Sequence, residues 1–178
     1  MKQMRWMAIG LIICATALAS DAQKGTVPHS SPDNYKAHAE QNGVTISATL
    51  LTADQARKAF FADVNRCCLV VEVALYPHKD AVAHISLDDF TLRVVGQDIA
   101  AKPSTAKTAA LHSSQDRDRV RPMLIAAMEQ EFSEKGLPQG SATAPVSGYV
   151  YFSLPKVKKG KYELEYAPQG NKISLALN

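Results

Sequence analysis

Cysteine is scarce in this 178-residue chain, with three in all, and no two of them form a Cys-x-x-Cys pair. That absence argues against the common zinc framework. Charge of one sign is not in excess either: 20 Lys and Arg stand against 17 Asp and Glu, a formal net of +3. A chain so nearly balanced has no concentrated basic face, which excludes nucleic acid as a partner. Also missing are a Gly-x-Ser-x-Gly elbow, a His-Glu-x-x-His pair, a phosphate-cradling glycine loop and paired carboxylates in a suggestive context. No enzyme activity, catalytic residue or cofactor is therefore expected. No internal repeat is present, and beyond the N-terminal stretch no apolar run approaches the about 20 residues a bilayer crossing needs.

What is present begins with an export signal. Lys2 and Arg5 precede an uncharged stretch from Trp6 to Ala19 rich in Ile, Leu and Ala. A positive start, a short apolar middle and small residues at the exit are the parts of a secretory signal peptide. Ala17-Leu18-Ala19 and Ser20-Asp21-Ala22 both fit the exit, so residues 1–22 are read as signal and the protein as exported, periplasmic or extracellular. Cys14 follows the bulky Ile13, which disfavours a lipoprotein. Loss of Lys2 and Arg5 lowers the net charge to +1, or to +2 if Asp21 leaves as well.

Residues 23–42, with Pro28, Ser30, Ser31, Pro32, Asp33 and Asn34, show no apolar period and read as a flexible linker. From Val44 the pattern changes. Val44, Ile46, Ala48 and Leu50 alternate with Thr45, Ser47 and Thr49, the period of a half-buried strand. Thr52-Ala53-Asp54-Gln55 is a capping box opening a short helix over 56–61. Cys67 to Tyr76 is apolar on both faces except at Glu72, as in a central strand. A weaker strand signal follows at 83–87, and then Phe90, Leu92 and Val94 alternate with Thr91, Arg93 and Val95.

The rhythm breaks over residues 103–140, which read as a helical insertion. The Ala-rich 104–112 is a weak helix. Pro122 suits a helix start, with Leu124, Ala127, Met128 and Phe132 on one face and Gly136 as its stop. Arg117, Arg119 and Arg121 at its amino end, and Glu129, Glu131 and Glu134 nearer its carboxyl end, oppose the helix dipole. This helix must therefore be held by packing or by a partner. Strand alternation returns at 146–153, after which Pro155 to Gly160 reads as a lysine-rich hairpin turn into 161–166, and Ile173, Leu175 and Leu177 form a last strand. About seven short strands separated by turns make an antiparallel sandwich over 43–178.

Few residues carry chemistry. Cys67 and Cys68 are adjacent, and in a regular strand adjacent side chains point to opposite faces. The leading reading is two buried thiols acting as small hydrophobes. A vicinal redox pair and a bond to another chain remain open, so both are candidate redox residues. His78 and His84, with Asp80, Asp88 and Asp89, match no ligand spacing, and Asp116 and Asp118 lack the rest of a calcium loop. No metal site is expected. Two candidate interaction surfaces remain: Lys156, Lys158, Lys159 and Lys161 on the expected hairpin, and Tyr149 and Tyr151 on one strand face. The tyrosines have a competing place beneath the 103–140 insertion.

The segments Leu69-Val70-Val71-Glu72-Val73-Ala74-Leu75, Asp89-Phe90-Thr91-Leu92, Gly148-Tyr149-Val150-Tyr151-Phe152 and Tyr162-Glu163-Leu164 are core patterns. Through them the chain from Val44 to Leu177 resembles uncharacterised immunoglobulin-like domains of exported bacterial envelope proteins. The resemblance implies an immunoglobulin-like sandwich, an envelope location and no catalytic residues. The expected role is a non-enzymatic interaction or accessory domain whose partner is another envelope protein. The alternative is a periplasmic carrier of a small ligand or metal using its His and Cys residues.

Overall fold

A computed structural model describes residues 25–114, 122–154 and 160–177, so the expected signal peptide lies outside the described residues. The first regular elements are β1 (Ala37–Gln41) and β2 (Val44–Leu50), an antiparallel hairpin in register Gln41↔Val44. Its two-residue loop is Asn42-Gly43, both at positive φ (52° and 74°), the geometry that matches strand twist and that Asn-Gly adopts most readily.

This overturns the flexible linker. From Gly25 the stretch 23–42 is built into the fold. Thr26 bridges to Ser147, Tyr35 is buried against Ala74 and Tyr76, and Tyr76 Oη donates to the His29 carbonyl at 2.8 Å. The polar composition concealed it, because edge strands and covering segments need few apolar residues.

α1 (Ala53–Ala59) follows with both halves of the Thr52/Gln55 capping box formed, and β3 (Leu69–Pro77) comes next. β4 (Ala83–Ile85), β5 (Phe90–Val94) and the two-residue β6 (Ala100–Ala101) lead into α2 (Ala106–Ser114) and α3 (Pro122–Lys135). β7 (Gly140–Ala142), β8 (Val146–Phe152), β9 (Tyr162–Tyr166) and β10 (Ile173–Ala176) complete the described order. The expected insertion is thus helical, with α3 beginning at Pro122 and ending one residue before Gly136.

The chain is mainly β with antiparallel sheets and a substantial helical part. One sheet runs β1-β2-β3-β8, a second β10-β9-β5-β6, and β4 pairs with β7. The inner faces of the two larger sheets share one core that includes Ile46, Val71, Val73, Leu75, Val150 and Phe152 from the first, and Phe90, Leu92, Leu164 and Leu175 from the second. Each such fully buried side chain contributes about 1.5–3 kcal/mol. β8 and β9 do not pair with each other. β8 lies on β3, and β9 lies between β5 and β10. β8 and β9 thus stand in different sheets and are not the hairpin partners expected, while the expected turn itself, residues 155–159, lies outside the described residues: alternation marks a strand but says nothing about its partner.

A second core lies on the other face of the first sheet, where Val70 and Tyr151 meet Ala56, Phe60, Val64, Cys68, Ala109, Ala110, Met128 and Phe132. The helices form a third layer there. On α3, Met128 and Phe132 are buried and Leu124 is half-buried, whereas Ala127 faces out. The helix is held by this packing and by Lys135, whose Nζ meets Glu131 Oε1 at 2.7 Å and the Ala59 carbonyl at 2.5 Å.

Candidate functional site

The backbone leaves α1 through Phe60 and Phe61, makes a single 3-10 turn over Val64–Arg66, and reaches Cys67 at φ −105° and ψ −35°. Both Cys67 and Cys68 donate their amide N–H to the Val64 carbonyl, at 3.2 and 3.0 Å. The chain is still turning at the cysteines and becomes a strand only at Leu69. Within that turn Cys67 and Cys68 are joined in a disulfide. The two buried thiols expected from the sequence are thus overturned, and the physical reason is local. The opposed side-chain directions of a strand do not apply to a residue in a helical conformation.

The disulfide has an asymmetric setting. Cys68 is 1% exposed, inside the helical-layer core. Cys67 is partly exposed, and Ser113 of α2 donates its hydroxyl to Cys67 Sγ at 3.2 Å. Ser113 also lines a groove of about 110 Å³ with Phe61, Asp63, Arg66, Leu124 and Met128. Two large apolar side chains of this layer are strongly exposed, Phe61 at 61% and Met123 at 85%. Leu111 of α2 is exposed as well.

The tyrosines do not offer a free face. Tyr151 is buried, and its hydroxyl donates to the Phe132 carbonyl at 3.0 Å. Tyr149 is half-buried, with its ring centroid 5.0 Å from that of Phe60. Burial pushes the hydroxyl pKa of both upward, so both stay neutral. They line a cleft of about 200 Å³ with Ser104, Phe132, Gly136 and Leu137. The competing place beneath the insertion is where they lie. Beside Tyr149, burial raises the pKa of Glu72, and His29 at 3.9 Å only partly offsets this. Lys161 is exposed, while Lys156, Lys158 and Lys159 lie outside the described residues.

The histidines do not converge. His78 Nε2 meets Thr45 Oγ1 at 2.9 Å, and His84 Nδ1 meets Ser141 Oγ at 3.1 Å. Among the described residues no three His, Cys, Asp or Glu side chains are grouped as metal ligands would be, and no helix is long and apolar enough to cross a membrane.

No family model, curated protein or solved structure matches this chain. The site therefore stands on its own geometry. That geometry leaves Cys67 of the disulfide partly accessible and sets Phe61, Leu124 and Met128 along the adjoining groove. Sequence reasoning missed Ser113 and Phe61. Ser113 leaves no signal without its helix placed, but Phe61 stood as a second phenylalanine just past a capped helix, where one aromatic is enough to seal the end.

Proposed function

We propose that this chain is an exported, non-enzymatic interaction or accessory domain of the bacterial cell envelope, built on an immunoglobulin-like sandwich. Strand order supports the fold. Assigning β2, β3 and β8 as strands A, B and E, and β5, β9 and β10 as C, F and G, reproduces the neighbours of that architecture. The helices then stand in the C-to-E connection, where strand D would run. The observation that carries the role is the exposure of Phe61 and Met123 on the helical layer. Phe61 adjoins Leu124 and Met128 along the groove, and contiguous apolar surface left in water marks contact sites, so the partner is another envelope protein.

A photoreactive amino acid at position 61 tests this in the expressing cell, with exposed Ser174 on β10 as the control. A discrete adduct from position 61 alone is expected; equal labelling from both positions overturns the helical layer as the contact surface. Mature protein should begin at Ser20 or Gln23. Stoichiometric copper or zinc in the purified protein would replace this reading with that of a carrier.

A further inference from the structure

We propose that Cys67–Cys68 is a reversible redox modification site, and that its state decides whether residues 64–68 form a turn packed on α2 or an extension of β3. Three observations converge on this junction. The continuous apolar run of β3 extends backwards through the cysteines, so the sequence favours strand there. β8 pairs with β3 in the register Leu69↔Phe152, and one more rung would set Cys68 opposite Ser153. Cys68 Sγ already lies 3.9 Å from Ser153 Oγ. The disulfide, however, holds both sulfurs on one side, which a strand does not allow.

The reactant is a dithiol. One of its thiolates attacks Sγ of Cys67, the more accessible sulfur, forming a mixed disulfide while the Cys67–Cys68 bond breaks. Cys68 leaves as a thiolate and takes a proton from solvent, to which the reductant's first thiol had given one. The reductant's second thiolate then attacks its own mixed-disulfide sulfur and expels Cys67, which is protonated in turn. Two thiols appear on the protein, and the reductant leaves as a cyclic disulfide. Cys68 is buried and Cys67 only partly exposed, so access is restricted and the step is slow for an unassisted small dithiol.

Once the ring is open, Cys67 can become extended. The Val64–Arg66 turn then loses its hold, and α2 loses the Ser113 contact. Because the same turn carries Asp63 and Arg66 of the groove, its opening alters the face next to Phe61.

The test uses the full chain carrying Cys14→Ser, oxidised and after dithiothreitol, by thiol titration in denaturant and by hydrogen exchange. The oxidised protein should show no free thiol and the reduced protein two. On reduction, amides in 61–66 and 106–114 should exchange at least about tenfold faster as the turn and its hold on α2 are lost, while Cys67 and Cys68, taken into the strand, do not, and β5 and β9 stay protected. The double variant Cys67→Ser with Cys68→Ser should exchange like the reduced form. Two free thiols in the untreated protein overturn the proposal. So does reduction that leaves exchange unchanged, or that opens both sheets together. Reduction and reoxidation of the unsubstituted cysteines remain decisive even if the serine variant does not fold.

Discussion

Single atoms explain much of how the layers meet. At Gly148 on β8, a Cβ would stand 2.5 Å from the Cα and N of Leu137. The backbone after α3 passes this close only because that position has no side chain. Gly148→Ala should therefore destabilise the protein by about 1–3 kcal/mol, the usual cost of overpacking, as read from urea denaturation. Glu72 makes the opposite kind of prediction. Burial raises its folded pKa above the ordinary carboxylate range. The folded state therefore holds this proton more tightly than the unfolded state, and stability falls as pH rises from the unfolded value through the folded one. Relative to wild type, Glu72→Gln should gain stability across that window, with no gain below it; denaturation midpoints at pH 4 and pH 7 check the sign.

At the scale of elements, α1 is held by its N-cap. Thr52 accepts from the Gln55 amide at 3.2 Å, and Gln55 Oε1 accepts from the Thr52 amide at 2.8 Å. Thr52→Ala removes one half outright and should cost about 1 kcal/mol in denaturant unfolding. This box was legible because a cap is a local pattern, read within four residues. Strands β2, β5 and β9 were legible for the same reason, through their alternation. β1 was not, since His38 and Glu40 face solvent and Ala37 and Ala39 carry little apolar weight. Asn42-Gly43 was the better signal there. Partner choice was also beyond local pattern, hence the hairpin expected at Pro155–Gly160. At Cys67 the apolar rhythm ran on past the true strand start, because a buried turn and a buried strand select similar residues. Of the site, the cysteine pair was visible and its bond was not.

At the scale of the molecule, three layers share one central sheet, so its two faces carry separate cores. Phe132 is wholly buried in the helical-layer core, where its ring stands 5.4 Å from Phe60 and 5.2 Å from Tyr151. Phe132→Ala should cost about 3–5 kcal/mol. If the cores are energetically distinct, hydrogen exchange will rise first in α2 and α3, before β5 and β9. Equal loss of protection in all three layers would show a single cooperative unit instead.

The bridging of Thr26 to Ser147 belongs to a larger pattern along the outer edge of β8. The carbonyls of Ser147, Tyr149 and Tyr151 accept from the amides of Thr26, Leu137 and Ser104, at 2.8, 3.1 and 2.7 Å. Three unrelated stretches thus each supply one rung, the most distant 121 residues away in sequence. That edge is finished only when all three arrive, and contacts so far apart along the chain form late. While the chain is folding, β8 is therefore a bare template for any other strand. Its safety depends on the order of arrival, which makes the interval between synthesis and completion the period of greatest aggregation hazard for this protein.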